Sequence, residues 1–489
     1  MRLGTLGHVR GLLRYARKVG GRWYRLGPRR VLLRSGLARA VDLPHLAPED
    51  IRWMRARAGR DPALREAALL QLVRRGSLES DERSELRDRA ASPTSGIVGW
   101  RRGGPDTVVA DARAGLAAAA SSPGRPAVAW LHWPLDNHNP YQPLVYSRFA
   151  ERGLVPIRLA HLSTLDGLLP ALPAGTPVVL HLHWLYGVTA GSTSAAEAAG
   201  RVRRFADRIA ALKAGQVRLV WTVHNVLPHE TGYPEAELEL RRLMMRSADV
   251  VHLMSADQEP LLTEAYGATP NRVVVVPHPS YLGAYPDWAD RSAARAQLGI
   301  PDQLRVLATI GQVRPYKGYH AFLQALDRVH RRDPAIRWLV AGTVREEGDW
   351  QEFITAVAVH PAVLCFPNYI PADDLQFFLR AADAAVFPYV RSLNSGAVAL
   401  AASFGLPAYV SRETRVGGLL PDAGLRRFDL TDPADVERVL LAGAGMETPQ
   451  VRSAVRAHAE ALRPDLVSAE LAGALVTALD LPTGAGLPA

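Results

Sequence analysis

The chain has 489 residues, of which 48% are hydrophobic and 22% are charged, with a net charge of +10 at pH 7. This length predicts two or three domains, and the composition is typical of an ordinary soluble globular protein. No run of 18 apolar residues occurs, and the single cysteine, Cys365, excludes an internal disulfide. The N-terminus lacks a continuous apolar segment, so we expect no secretory signal and a cytoplasmic location.

Positive charge is concentrated at the N-terminus. Residues 1–102 contain 23 basic and 10 acidic residues, a balance of +13, whereas the rest of the chain holds 35 basic and 38 acidic residues, a balance of −3. The near-neutral body argues against a nucleic-acid groove along it. We interpret residues 1–102 as a basic, partly helical extension and residues 103–125 as a linker.

Within this extension, residues 8–26 have apolar side chains at helical spacing and arginines on the opposite side. Such a helix fits the surface of an anionic membrane, where each basic residue contributes roughly 1 kcal/mol. Three interpretations are open: membrane contact through residues 1–40, docking of the helix on the body, and a disordered tail. The first would make the protein peripheral on the inner face of the cell membrane.

From residue 126 the chain alternates short apolar runs with segments of helical spacing. This alternation, with short connections, predicts a parallel sheet with helices on both faces. Strands are predicted to begin near residues 126, 155, 176, 217, 248 and 272.

A stretch rich in Pro and Gly, residues 277–290, interrupts the alternation, which then restarts. We therefore predict two doubly wound, Rossmann-like α/β domains, 126–285 and 286–470, followed by a tail, 471–489. In the second domain, strands are predicted near residues 304–313, 336–344, 362–370, 384–390 and 406–412.

Polar residues follow most of these strands. Ligands of open α/β sheets lie at the carboxyl ends of the strands, and two such sheets facing each other form a cleft there. We expect His181 and His183 to lie on opposite faces of their strand, with at least one of them a satisfied core residue. The candidate residues are His132, Asp136, Asn137, His138, His181, His183, His224, Asn225, Arg314, Lys317, Gly342, Thr343, Tyr389, Asn394, Ser395 and Gly396.

The turn GQVRPYKG, residues 311–318, holds one of only three lysines in an arginine-rich chain. Gly311 turns the chain after a predicted strand, and Arg314 and Lys317 follow it. A forked guanidinium and a compact ammonium together suit two adjacent phosphates. The alternative is a solvated surface pair.

A second anion-binding feature is predicted at residues 394–397. Asn394 or Ser395 can cap a helix that begins at Gly396, and free N–H groups in the first turn, including that of Ala397, attract anions. The alternative is a plain capped helix. Neither GxGxxG nor GxxxxGKS/T occurs, so nucleotide binding of those kinds is not supported.

Several of these stretches, in order and spacing from residue 126 to about 470, resemble glycosyltransferases of the B fold that use nucleotide-diphosphate sugars. They include LHLHWL, TVHNVLPHE, IGQVRPYKG and FPYVRSLNSGAVALAASFGLPAYVS. The resemblance implies that Arg314 and Lys317 bind the diphosphate of the donor and that His224 contacts the transferred sugar. It also implies that the nucleotide lies on the C-terminal domain and the acceptor on the N-terminal one.

The chain departs from the large retaining branch of this family in one place. That branch carries two glutamates eight residues apart, and the corresponding positions here are Ser392 and Leu400. The segment NSGAVALAASFG instead resembles a divergent group that acts on lipid-linked sugars in exopolysaccharide or glycolipid assembly. Some of those enzymes invert the anomeric centre.

We therefore predict a hexosyltransferase that moves a hexose from a nucleotide-diphosphate sugar to a hydroxyl of a saccharide or lipid-linked acceptor. No DxD motif occurs, so we expect neither a metal ion nor a cofactor. An inverting transfer needs a base, for which Asp136 is the first candidate, with His138 and Glu230 behind it. Two alternatives are a nucleotide-sugar epimerase of the same fold and a non-catalytic, membrane-bound binder of sugar nucleotides. Further acceptor or sugar contacts are expected from His132, Asn137, His183 and Asn225.

Overall fold

The structure is a computed structural model of the chain. It describes residues 105–121, 127–134, 139–228, 231–287, 289–343 and 359–482, together with residues 353 and 357. The three interpretations of residues 8–26 lie outside the described residues.

Within the described residues, the first half of the chain forms a sheet of six strands. They are β1 (Val128–Trp133), β2 (Leu154–Arg158), β3 (Val178–Leu182), β4 (Arg218–Thr222), β5 (Val250–Leu253) and β6 (Val273–Val275). All pair in parallel, in the spatial order β2-β1-β3-β4-β5-β6. Most strand residues are buried, because helices cover both faces of the sheet.

The second half forms another parallel sheet, also of six described strands. They are β7 (Arg305–Ile310), β8 (Ile336–Ala341), β9 (Val363–Phe366), β10 (Ala384–Phe387), β11 (Ala408–Ser411) and β12 (Leu425–Phe428). Their order is β12-β11-β10-β7-β8-β9. Strand β12 was not predicted, because its sequence LRRF lies at the sheet edge with both arginines exposed and lacks an apolar run.

The described helices lie before β1, between the strands and beyond β12. Side chains that accept a backbone N–H cap the starts of five of them: Ser194, Asp290, Ser395, Asp432 and Thr448. The helices are α1 (Pro105–Ala120), α2 (Tyr141–Val145), α3 (Thr164–Leu168), α4 (Tyr186–Thr189), α5 (Ala195–Ala214), α6 (Pro234–Ser247), α7 (Gln258–Tyr266), α8 (Arg291–Leu298), α9 (Tyr319–Arg332), α10 (Leu375–Ala381), α11 (Gly396–Ser403), α12 (Pro433–Ala442), α13 (Pro449–Ala461) and α14 (Pro464–Ala478).

The strand order of each sheet has a switch point. It lies between β1 and β3 in the first sheet and between β10 and β7 in the second. At a switch point the chain leaves neighbouring strands toward opposite faces, so a crevice opens beyond their carboxyl ends. In the second sheet this crevice lies between the turn after β7 and the segment after β10, which carry the two predicted anion-binding features.

Helix α14 returns from the second sheet to the first. Val467, Leu471 and Leu475 pack in one apolar cluster with Tyr146 and Phe149. The Ser468 hydroxyl donates to the Val145 carbonyl at 2.8 Å. We predicted residues up to 470 as part of the second domain and the rest as a tail, whereas the apolar face of this helix is buried against the first sheet.

The segment interpreted as a linker, 103–125, contains helix α1. Its residues Ala112 and Leu116 are buried in the main apolar cluster of the first sheet. The Gly- and Pro-containing flanks suggested a linker, but the alanine-rich interior is a strong helix former with one apolar side.

Candidate functional site

A cavity of about 380 Å³ lies between the two halves of the chain, at the switch point of the second sheet. We call this cavity the cleft. It is lined from the second sheet by the segments after β7 and β10, and from the first half by Asn139 and Pro140. Seven predicted donor-site residues line it: Gly311, Lys317, Tyr389, Asn394, Ser395, Gly396 and Ala397.

Lys317 is the charged residue of the cleft. Its side chain is 6% exposed, and among the described residues it has neither a carboxylate nor another hydrogen-bond partner. Its ammonium lies 5.7 Å from the centre of the Tyr389 ring. Burial and the nearby charge of Arg314 lower the pKa of Lys317 from 10.5 to about 7. A buried, unpaired cation that faces a cavity is a ready partner for an anion.

Gly318 holds the lysine turn against the segment after β10. Its φ is +67°, and a Cβ atom there would lie 2.0 Å from the Pro388 carbonyl oxygen. The adjoining Tyr316 carbonyl accepts a hydrogen bond from the Val390 N–H at 2.8 Å. The two segments therefore meet backbone to backbone, which only glycine permits at this position.

Helix α11 begins at the opposite side of the cleft. The Ser395 hydroxyl accepts the N–H of Val398 at 3.3 Å, as the cap prediction required. The N–H groups of Gly396 and Ala397 lie in the first turn, where the helix itself supplies no acceptors. A Cβ atom at Gly396 would lie 2.8 Å from the Tyr281 hydroxyl oxygen, so a larger residue would displace that tyrosine.

Three other predicted donor residues lie beside the cleft rather than in its lining. The Arg314 guanidinium donates to the Gln312 side-chain oxygen at 2.7 and 3.1 Å. Gly342 packs behind Gly311, and the Thr343 carbonyl accepts a hydrogen bond from Val313 at 2.9 Å. Gly342 and Thr343 thus support the shape of the turn.

Asn394 lines the cleft, but its amide binds the first half of the chain. It donates to the carbonyls of Val223 and His224 at 3.0 and 3.2 Å, and it accepts from the Gln258 amide at 2.7 Å. These bonds use its side-chain oxygen and both of its N–H directions. Asn394 therefore joins the two halves beside the segment that carries His224.

The first sheet buries the predicted histidines. His132 is fully buried, and neither ring nitrogen has a hydrogen-bond partner within the part of the chain that the structure describes. Burial and Arg158 lower its pKa to about 3. We expected His181 and His183 on opposite faces, which is wrong: their rings stack with centroids 4.4 Å apart. Residues two apart on a strand point to the same face.

His224 and Asn225 follow β4, close to the cleft but outside its lining. The His224 ring stacks on Trp184 with centroids 4.2 Å apart, and its Nε2 lies 3.1 Å from Nδ1 of His183. Asn225 lines a second cavity of about 270 Å³, which shares Ser392 with the cleft. Four predicted residues, Asp136, Asn137, His138 and Glu230, lie outside the described residues.

Several cleft residues were not assigned from the sequence. Tyr281 and Tyr285 line it from the Pro- and Gly-rich connection, which reads as a linker because its aromatic residues have no periodicity. The Tyr281 hydroxyl donates to the Asn139 side-chain oxygen at 3.1 Å across the cleft. Ser392 and Leu400, the positions of the two glutamates in the retaining branch, both line the cavity.

Among the described residues, no group of three or more His, Cys, Asp or Glu residues could hold a metal ion. No helix within the described ranges is long and apolar enough to cross a membrane.

Known proteins share sequence and fold with this chain. Residues 290–413, which include the lysine turn and α11, match the family model for glycosyl transferases group 1. Sucrose-phosphate synthase from Thermosynechococcus elongatus superimposes with a TM-score of 0.52 at 16% identity, covering 73% of this chain and 99% of that one. The chain has the glycosyltransferase B fold. HepE of Anabaena, solved in complex with UDP, shares this fold with a TM-score of 0.52 at 14% identity, covering 72% of this chain and 100% of that one.

Sequence relatives of this B-fold chain carry one recurring name. A D-inositol 3-phosphate glycosyltransferase of Segniliparus rotundus is 36% identical over 163 residues, covering 32% of this chain and 35% of the relative. The Corynebacterium efficiens protein of the same name is 28% identical over 226 residues, covering 42% and 51%. The chain thus spans between about a third and a half of the length of these curated relatives.

Proposed function

We propose that the protein transfers a hexosyl group from a nucleotide-diphosphate sugar to a hydroxyl of a saccharide or lipid-linked acceptor. The observation that carries this proposal is the buried ammonium of Lys317, which has no hydrogen-bond partner within the described ranges and shares one cavity with the first turn of α11. The group 1 family match over both elements supports it.

In this proposal the diphosphate of the donor lies between Lys317 and the N–H groups of Gly396 and Ala397. Arg314, whose charge already acts on Lys317, adds a second cation beside the site. These groups would neutralise the negative charge that develops on the diphosphate as the bond to the sugar breaks. These groups already supply positive charge at the site. We therefore propose that transfer is independent of a metal ion.

The acceptor side of the reaction is proposed from the sequence. His224 would contact the transferred sugar, and Asp136, His138 or Glu230 would take the proton of the acceptor hydroxyl. Ser392 and Leu400 present no carboxylate to the cleft at the positions of the retaining branch's glutamates. If the transfer inverts the anomeric centre, that base acts from the acceptor side, on the face opposite the diphosphate.

Calorimetric titration with UDP, GDP, ADP and their sugars tests the donor site. HepE of Anabaena was solved with UDP and with UDP-glucose, so uridine nucleotides are the first choice. A ligand at 100 times its dissociation constant stabilises the folded protein by about 2.7 kcal/mol, which a thermal-shift panel detects. Absence of binding by every nucleotide diphosphate would overturn the proposal.

Product analysis separates transfer from its alternatives. The acceptor panel should include saccharides, lipid-linked sugars and inositol 3-phosphate, for which the relatives are named. Transfer requires an acceptor and should persist in EDTA. An epimerised sugar formed from the donor alone would identify an epimerase, and binding without turnover of any donor would identify a non-catalytic binder.

A further inference from the structure

A row of buried polar side chains crosses one face of the first sheet, behind the cleft. It contains His181 on β3, Thr222 on β4 and His252 on β5, one from each neighbouring strand. Tyr146 lies over this row, and His183 continues it toward His224. An apolar sheet face has no structural need for so many polar groups in one line.

These side chains form one unbroken hydrogen-bonded chain. Nε2 of His252 lies 3.0 Å from the Val276 carbonyl oxygen, and its Nδ1 lies 2.9 Å from the Thr222 hydroxyl. The remaining contacts are Thr222 to His181 Nε2 at 2.7 Å, His181 Nδ1 to Tyr146 at 2.9 Å, Tyr146 to His183 Nε2 at 2.5 Å and His183 Nδ1 to His224 Nε2 at 3.1 Å.

The carbonyl at one end fixes the direction of every proton in the chain. The Val276 oxygen can only accept, so His252 carries its proton on Nε2 and its Nδ1 accepts from Thr222. Thr222 has then used its single proton and must accept from Nε2–H of His181.

The same reasoning continues to the other end. Nδ1 of His181 accepts the Tyr146 proton, so Tyr146 accepts from Nε2–H of His183. Nδ1 of His183 then accepts from Nε2–H of His224. The ring of His224 is left with a bare Nδ1, which has no hydrogen-bond partner among the described residues.

This assignment requires neutral imidazoles, and their surroundings favour that form. Burial first, and then the neighbouring histidines, lower the pKa of His181 and His183 well below 6.5. Burial also lowers the pKa of His224, with His278 and His252 adding to it, and brings that of His252 to about 4.

We propose that this chain fixes His224 as the Nε2–H tautomer, so that its Nδ1 accepts a hydrogen bond from a hydroxyl of the transferred sugar. The assignment of the tautomer stands on the hydrogen-bond geometry together with neutral imidazoles, whereas its use toward sugar rests on the proposed function. Tyr146, His181, Thr222 and His252 are then positioning residues, which act through His224. The stacked Trp184 ring holds the plane of the imidazole.

Nitrogen-15 NMR of the full chain labelled at histidine tests the tautomer directly, because two-bond couplings distinguish Nδ1–H from Nε2–H. We expect Nε2–H for His181, His183, His224 and His252 at pH 7. His278 supplies an internal contrast: its Nδ1 lies 2.6 Å from the Pro279 carbonyl, so it should be Nδ1–H. An Nδ1–H or doubly protonated His224 would overturn the proposal, whether or not the protein transfers sugar.

The variant Tyr146→Phe tests the connection between the tautomer and catalysis. Removing the hydroxyl interrupts the chain, so His224 should show mixed tautomers and kcat should fall at least tenfold, with KM for the donor changed less than twofold. Tyr266→Phe is the matched control, because it removes the hydroxyl of a buried tyrosine on α7 that bonds the backbone carbonyls of Val226 and Asn225 and lies outside the chain. Thr222→Val interrupts the chain elsewhere and serves if Tyr146→Phe fails to fold. An unchanged kcat in a folded, interrupted variant would refute the catalytic role.

Discussion

Replacing Lys317 by Met should stabilise the ligand-free protein and abolish its binding of nucleotide diphosphates. Methionine keeps an unbranched apolar side chain in the buried site and removes the ammonium. The pKa of Lys317 is lowered from 10.5 to about 7, by burial and by Arg314. Below pH 7, folding therefore places a positive charge in a buried site where the neutral amine is favoured.

The difference between the pKa of Lys317 in the unfolded and in the folded protein sets the size of the stabilisation by Lys317→Met. A difference of about 3.5 pH units, at about 1.4 kcal/mol each, corresponds to about 5 kcal/mol of unfolding free energy. The contact with Tyr389, at 5.7 Å, returns about 1 kcal/mol to the charged form. We therefore expect Lys317→Met to raise the free energy of unfolding by about 4 kcal/mol below pH 7.

The increase in the free energy of unfolding caused by Lys317→Met should depend on pH in a defined direction. Between pH 7 and 10.5 the unfolded chain still carries a proton on Lys317 that the folded protein has lost, so the stability of the parent protein rises with pH. The advantage of the variant should therefore be full below pH 7 and should disappear toward pH 10.5.

Urea unfolding at pH 6 and pH 10, followed by tryptophan fluorescence, measures this difference. Lys213→Met is the matched control, because Lys213 pairs with Asp249 at 3.0 Å and its removal should not stabilise the protein. Calorimetry with UDP on the same samples reports donor binding. The reasoning is refuted if Lys317→Met is no more stable than the parent at pH 6, or if it binds UDP with unchanged affinity.

Three further predictions concern the cleft. Affinity for a nucleotide-diphosphate sugar, whose phosphates do not titrate near neutrality, should fall about tenfold from pH 6 to pH 8 as Lys317 loses its proton, and an affinity that calorimetry finds unchanged over this range would contradict the lowered pKa. Asn394→Ala should lower the free energy of unfolding by about 1–3 kcal/mol. A double-mutant cycle with Gln258→Ala should give a coupling energy above about 0.5 kcal/mol, and a coupling energy of zero would contradict the contact between Asn394 and Gln258. Gly318→Ala should abolish donor binding, because its Cβ would lie 2.0 Å from a backbone carbonyl oxygen. Gly175→Ala is the control: Gly175 has a φ of +75° and no atom lies within 4 Å of its added Cβ, so the variant should lose only about 1 kcal/mol in urea unfolding and should retain binding.

The cleft shows how far individual residues could be predicted. Lys317 was proposed as a donor-site residue because lysine is rare in this chain and this one follows a predicted strand. Ser395 was proposed because it stands where a capping residue is expected, after another predicted strand. The contact of Asn394 with the first half of the chain was not predicted, since nothing local indicates that its amide reaches the His224 carbonyl, 170 positions away. Tyr281 was not assigned, because it enters the cleft from a connection without periodicity.

The sequence by itself determined the two parallel sheets, since apolar runs alternating with helical segments have few other ways to bury their surfaces. It also determined the lysine turn and the helix start at Gly396, because a turn and a cap are encoded within a few residues. Only the tertiary structure decided that these two elements share one cavity, that α14 returns to the first sheet, and that the buried histidines form one hydrogen-bonded chain. Those arrangements depend on strand order and on contacts between residues far apart in the chain, which periodicity does not encode.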